Sequence, residues 1–377
     1  MIRLSKLWLA CVGCGLAMLP AQAQQPFPKR LVADYGYWSR TQYPPYSAAQ
    51  IPFNMLTHLN DFGPSFDNYG NLSVPSGFLE PELISKAHAS GVKVLVGLGG
   101  DFPGLETTSG GLEALLTNLQ TFITANGYDG LDIDWEYPSS TADAQFMFKL
   151  MHGLRNIFPS PTYVLSVDIP PWGGSGYDMP GILTVIDYIN IMMYDCAGPW
   201  TDDAQFNSPV FQNPANPQPW EAGPDVQGAI RIFMEDYQVP AAQLNMGTPF
   251  YGYVYTDVTG VFGNCQPLYD GQCGNKTVPS VSYGTWVKSH LNQQGWTSYF
   301  DETSMVPYML RDGGLPGFVT YDDPYSTYFK VWYADWHSGL GGTFMWSLDA
   351  DYDGHSQDLL NAMYEATMNQ PFTGTTP

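Results

Sequence analysis

The chain reads as an α/β protein with a parallel sheet. Strand-like segments alternate with helical ones along most of its length. Val94-Leu95-Val96 is a continuous apolar run, as expected of a parallel strand covered on both faces. The 377 residues suit one large α/β barrel with an insertion, or two average domains.

Arg3 and Lys6, the apolar run from Leu7 to Leu19 and Ala21-Gln22-Ala23 predict a secretory signal peptide over 1–23, with the mature chain starting at Gln24. The first strand is expected over Lys29 to Trp38 and the second over Met55 to Phe62. A short helix over Pro81 to Ser90 is stopped by Gly91. The third strand, Val92 to Gly100, precedes a helix marked by Leu112, Leu115, Leu116, Leu119, Phe122 and Ile123, which Asn126-Gly127 closes. The fourth strand lies in Tyr128 to Pro138, and the helix after it carries Phe146, Leu150, Met151 and Leu154. Tyr163 to Asp168 and Asp187 to Tyr194 read as strands five and six. The Pro-rich stretch 199–224 holds Trp200, Phe206, Phe211 and Trp220, which argues for an ordered cleft wall. Strand seven is Leu244 to Phe250. Short strand-like pieces fill 253–324, Tyr325 to His337 is helical, and Gly341 to Asp349 is strand eight.

Composition narrows the partners. A net charge of −22 argues against nucleic acid, which requires a basic surface, and is compatible with a neutral polysaccharide. Beyond the signal segment no apolar run is long enough to span a membrane, so the protein is expected to be released and extracellular or periplasmic. Of five cysteines, Cys11 and Cys14 fall in the signal segment. Cys265 and Cys273 are candidates for a disulfide worth about 2–3 kcal/mol, leaving Cys196 free. The six histidines are scattered, so no metal site is expected. Nothing calls for a cofactor, and a monomer is expected.

The most informative stretch is Asp129-Gly130-Leu131-Asp132-Ile133-Asp134-Trp135-Glu136. As a strand it sets Asp132, Asp134 and Glu136 on one face and Leu131, Ile133 and Trp135 on the other. A solvated acidic edge strand would not carry so apolar a second face, and a calcium loop would need the D-x-[DN]-x-[DN]-G spacing, absent here. Carboxyls packed together disfavour ionisation, so at least one should keep a proton near neutral pH, as a general acid must.

The stretch resembles the D-x-x-D-x-D-x-E signature of glycoside hydrolase family 18, the chitinase family, with Asp129, Asp132, Asp134 and Glu136 in its four positions. Thr57-His58-Leu59-Asn60, Gly99-Gly100, Met192-x-Tyr194-Asp195, Pro249-Phe250-Tyr251-Gly252 and Trp346 resemble further family motifs, in barrel order. The resemblance implies a (β/α)8 TIM barrel with a small α+β insertion between strand 7 and helix 7, divided as 24–252, 253–324 and 325–377. It implies a secreted chitinase that hydrolyses β-1,4-linked N-acetylglucosamine polymers with retention, through attack by the substrate's own acetamido oxygen. Glu136 would be general acid and base, Asp134 would hold the acetamido group, Asp132 would tune Asp134, and Tyr194 would orient the acetamido oxygen. Trp346, Asp195, Met192, Tyr251, Tyr35 and Asp129 are implied as substrate-binding residues. An endo-β-N-acetylglucosaminidase acting on glycoprotein or cell-wall glycans, and a non-catalytic chitin-binding lectin, are the alternatives. The sequence departs from the family at Gly97, where a supporting Ser is usual, at Asp101, where a Trp is common, and at Tyr253, where relatives have Arg.

Overall fold

The computed structural model describes residues 27–216, 223–263 and 278–377. The signal segment 1–23, Trp220, Cys265 and Cys273 lie outside the described residues. Eight parallel strands close into a barrel: β1 (Arg30–Gly36), β2 (His58–Phe62), β5 (Lys93–Leu98), β6 (Gly130–Ile133), β7 (Val164–Ile169), β8 (Tyr188–Ile191), β9 (Leu244–Pro249) and β15 (Gly342–Trp346). A two-stranded ladder, β3 (Ser65–Phe66) with β4 (Leu72–Ser73), sits between β2 and β5. The expected strand positions hold to within a few residues at each end. The largest difference is the signature stretch, where the ladder stops at Ile133 and Asp134 to Glu136 run on beyond it.

The helices form where the apolar period is helical. Gly111–Asn126 buries Leu115, Leu119 and Ile123 on one face and ends at Gly127, whose φ of +75° needs a residue without a Cβ. Thr141–Ile157 opens with a reciprocal cap between Ser140 and Asp143 and buries Phe146, Met147, Leu150, Met151 and Leu154. These faces cover the outside of the barrel, where Leu131, Ile133 and Trp135 join the same core. Trp135 stacks on Phe102 at 4.9 Å with the planes 6° apart.

Between β9 and the helix Pro324–Trp332 the chain builds a second, antiparallel sheet. Its strands are β10 (Tyr251–Tyr255), β11 (Ser280–Ser282), β12 (Trp296–Asp301), β13 (Val306–Arg311) and β14 (Phe318–Thr320), in the order β11-β10-β14-β13-β12. Only one residue, Phe250, separates β9 from β10, so the insertion starts at the rim of the barrel.

Candidate active site

Inward-facing side chains from five barrel strands meet beneath the carboxyl ends, where active sites of this architecture lie. Asp132 is fully buried. It accepts hydrogen bonds from Ser166 Oγ at 2.5 Å, Asn60 Nδ2 at 3.0 Å and Asn190 Nδ2 at 3.2 Å. Burial raises its carboxyl to about 6, and the Ser166 and Asn190 donors oppose that rise. Asn60 also donates to Asp34 at 2.8 Å.

Asp134 is the next inward carboxyl. Its Oδ1 is closed off and has no hydrogen-bond partner, and burial, then Glu136, then Asp132 push it well above the usual carboxylate range. The protonated form of Asp134 is therefore favoured. Glu136 itself is exposed at the cleft. A carboxyl that favours its protonated form, two residues before an exposed one, suits a general acid that can later serve as base.

The floor and walls follow. Trp346 stands edge-on to Phe62 at 5.3 Å and tilted to Trp38 at 6.4 Å. Met192 and Tyr194 belong to the cluster that fills the barrel with Val32, Leu95 and Phe344. Asp195 has φ +57° and takes both the Tyr251 hydroxyl at 2.5 Å and the Tyr253 hydroxyl at 2.7 Å on Oδ1. Burial raises its carboxyl and the two tyrosines hold it down. An open cleft of about 570 Å³ runs from here between barrel and insertion, past Trp38, Tyr43 and Tyr352.

Two expected binding residues do not reach this site. Tyr35 follows the inward Asp34 and so faces outward. It is fully buried against Tyr46, donates to the Tyr46 carbonyl at 3.2 Å and receives Arg40 Nε at 3.0 Å. Asp129 stands before the start of β6, where it bonds His88 Nε2 and the Val94 amide, each at 2.8 Å. Three residues, roughly 10 Å of strand, separate it from Asp132, so it stands at the amino end of the barrel, away from the acid cluster.

The departures from the family pattern also have local explanations. A Cβ at Gly97 would stand 2.6 Å from the Phe62 ring, and the hydroxyl on Asp132 comes instead from Ser166 of the neighbouring strand. Asp101 caps the helix Phe102–Thr107 by accepting the Gly104 amide at 3.0 Å. Tyr253 anchors Asp195.

Sequence reasoning missed four groups. Asp34, Ser166 and Asp168 belong to the buried polar layer, and the alternation Ser166-x-Asp168 in an apolar strand was the signal that could have found two of them. Tyr177, in the loop after β7, is 6% exposed, with a hydroxyl that has no partner. Burial raises it first, then Tyr137, Asp134, Asp168 and Glu136, so it lies within electrostatic reach of the acid cluster. Beside it Tyr137 and Trp172, both exposed, meet edge to face at 5.8 Å. Among the described residues, no three His, Cys, Asp or Glu side chains are arranged to hold a metal ion, and no helix is long and apolar enough to cross a membrane.

Fold and site together define a barrel glycosidase architecture. The chain belongs to glycosyl hydrolases family 18, whose sequence model matches residues 30–351. It is 28% identical over 289 residues to Endochitinase 1 of Metarhizium robertsii, covering 72% of this chain and 64% of that one. It is 28% identical over 266 residues to a probable endochitinase of Caenorhabditis elegans, covering 66% and 41% respectively. The chain thus spans less than two thirds of the length of these relatives. In structure it superimposes on the Ostrinia furnacalis Group IV chitinase solved with allosamidin, with TM-score 0.77, 24% identity, and coverage of 89% of this chain and 97% of that one. At that identity the likeness speaks for the fold.

Proposed function

We propose that the protein is a secreted chitinase that cleaves β-1,4-linked N-acetylglucosamine polymers with retention of configuration. The observation that carries this reading is the succession of fully buried Asp132, Asp134 with its closed-off Oδ1 and exposed Glu136 along one segment at the carboxyl end of the barrel. Glu136 protonates the departing glycosidic oxygen. The substrate's acetamido oxygen attacks the anomeric carbon, forming an oxazolinium ion, and Glu136 then takes a proton from the incoming water. Family 18 is a recognised exception to the two-carboxylate scheme for this reason. Asp134 bonds the acetamido N–H, Asp132 and Asp134 act as one coupled unit, and Tyr194 orients the acetamido oxygen. Trp346 stacks beneath the ring, and Asp195 and Tyr251 bind the sugar, with Met192 packed beside them.

The names of the relatives and the aromatic-lined cleft support a chitin oligosaccharide as substrate. Residues 1–23 are proposed as the export signal and 253–324 as the insertion that deepens the cleft. The test is chromophore release from an aryl N-acetyl-chitobioside, in parallel with a glycoprotein, using Glu136→Gln as control. Cleavage of the chitobioside, reduced about 10²–10⁴-fold in the variant, supports the reading. Cleavage of the glycoprotein alone moves the substrate to N-glycans. Binding to chitin without cleavage would make the protein a lectin.

A further inference from the structure

A row of polar side chains crosses the barrel on the amino side of the acid cluster, and the mechanism above does not use it. Arg30 on β1, Gly342 on β15, Asn245 on β9 and Asn190 on β8 are successive register partners. Gly342 carries no side chain, and a Cβ there would stand 2.6 Å from Arg30 Cβ, so the arginine is free to cross β15 and reach β9. Arg30 Nε donates to Asn245 Oδ1 at 2.9 Å, Asn245 Nδ2 donates to Asn190 Oδ1 at 2.9 Å, and Asn190 Nδ2 donates to Asp132 Oδ1 at 3.2 Å. Both amides and Asp132 are fully buried. Arg30 is half-buried and held in place, with Nη2 on the Ala242 carbonyl at 2.8 Å and the guanidinium 4.7 Å over the Tyr188 ring.

The three bonds run in one sense, and the cation fixes it. A guanidinium has only donors. Asn245 must turn its carbonyl to Arg30, which leaves its NH2 for Asn190. Asn190 then accepts through its own carbonyl, which leaves its NH2 for Asp132. Either end of an amide fits the same space, so shape alone does not set this orientation. Asn60, the other amide on Asp132, is oriented differently, because its Nδ2 donates to two carboxyls, Asp34 and Asp132.

We propose that Arg30 is a positioning residue for the reaction: through Asn245 and Asn190 it keeps an N–H turned to Asp132, and so favours the Asp132 carboxylate from the far end of the barrel. With the sense reversed, the Asn190 carbonyl would face Asp132 Oδ1, and two such acceptors come together only when the carboxyl is protonated. The inference rests on the glycosidase reading, in which Asp132 and Asp134 act as one unit. The titratable groups facing Asp132 are Asp34 on β1, Asp134 just beyond β6, Asp168 on β7 and Tyr188 on β8. Those facing Arg30 are Tyr188, Asp335, Asp187 and His58. None of them is altered in the variants below.

The test is the pH profile of kcat on the aryl chitobioside for wild type, Arg30→Lys, Arg30→Met and Asn245→Leu. Methionine removes the donor that sets the sense, and leucine cuts the chain while keeping the cation. In both, the acid limb should move up by about one pH unit, with kcat below the limb down roughly 10-fold and KM little changed. Lysine still donates to Asn245, so its limb should stay in place. A merely structural role would lower the melting temperature of the methionine or leucine variant and leave its limb fixed, which overturns the proposal. A limb moved by methionine and not by leucine would mean that the charge acts through space, and overturns the chain. A lysine limb displaced as far as the methionine one overturns it too. Should neither Arg30→Met nor Asn245→Leu fold, neutron diffraction from wild-type crystals decides, because it locates amide deuterons. Asn245 deuterons toward Asn190 and Asn190 deuterons toward Asp132 support the proposal, and the reverse overturns it. A wild type that cleaves nothing removes the glycosidase reading, while the neutron map still tests the sense of the chain by itself.

Discussion

Phe62 packs face-on against Gly97, leaving 2.6 Å between its ring and the position of a Cβ at residue 97. The same ring stands edge-on to Trp346. One aromatic therefore occupies the space of a side chain on β5 and braces the floor of the cleft. The hydroxyl needed by Asp132 has moved two strands round the barrel, to β7.

Restoring serine at position 97 is thus expected to harm the protein. Gly97→Ser should cost about 1–3 kcal/mol through overpacking, read as a lower urea midpoint. Trimming the ring in a Phe62→Ala, Gly97→Ser double variant should lose less than the sum of the two single changes. Strict additivity would show that the two positions do not compete for space.

The buried ion pair behind the site should be costly to break. Lys330 is fully buried and binds both Asp322 oxygens at 2.9 Å, the Ser208 carbonyl at 2.7 Å and Ser208 Oγ at 2.8 Å. Burial pushes its ammonium down and Asp322 holds it up. Lys330→Met leaves the Asp322 carboxylate buried without its partner, at about 3–5 kcal/mol. Lys330→Met with Asp322→Leu should recover much of that loss in denaturant titrations. A single variant as stable as wild type would mean that the pair contributes nothing.

Stability should fall as pH rises through neutrality. Burial lifts Asp61 and Asp351 to about 7 and Asp132 to about 6, above the ordinary 3.8. Each keeps a proton in the folded state that the unfolded chain has released. Their contribution is complete below the ordinary value and is lost as pH rises through 6–7. Asp34, Asp134, Asp168 and Asp335 are raised in the same sense. His58 works the other way, since burial lowers it from 6.5 to about 3 and stability drains as pH falls through that window. The carboxyls outnumber it, so the melting temperature should decline from about pH 5 to pH 8. A melting temperature that climbs over this range would contradict the assignment of buried protons.

Much of the barrel was legible because its signals are local. The stripe from Leu112 to Ile123 repeats at helical spacing, Gly127 stops it, and Val94-Leu95-Val96 is apolar throughout. The acid cluster was legible from period-two spacing alone. The same period, applied more strictly, would have removed two residues. Asp129 is an odd number of residues from Asp132 and so takes the opposite face, and Tyr35 is one step past the inward Asp34. What could not be read was which neighbouring strand supplies each donor. Ser166 and Asn60 meet Asp132 only because the barrel closes with this register, and no spacing within one segment records that. The role of Tyr253 as an anchor depends in the same way on a partner distant in sequence, Asp195, whereas Asp101 caps its helix through Gly104, three residues on, a local signal that could have been read.

The grip of Tyr251 and Tyr253 on Asp195 has a consequence for how this architecture can be edited. Both tyrosines lie on β10, the first strand of the inserted sheet, and the Asp195 amide reaches the same sheet through Asn207, whose own amide bonds Thr320 Oγ1 on β14. The insertion is therefore not a detachable module added to a finished catalyst. A minimal barrel made by deleting it would lose the clamp that sets Asp195, and any shortened descendant would have to find a different anchor for that side chain.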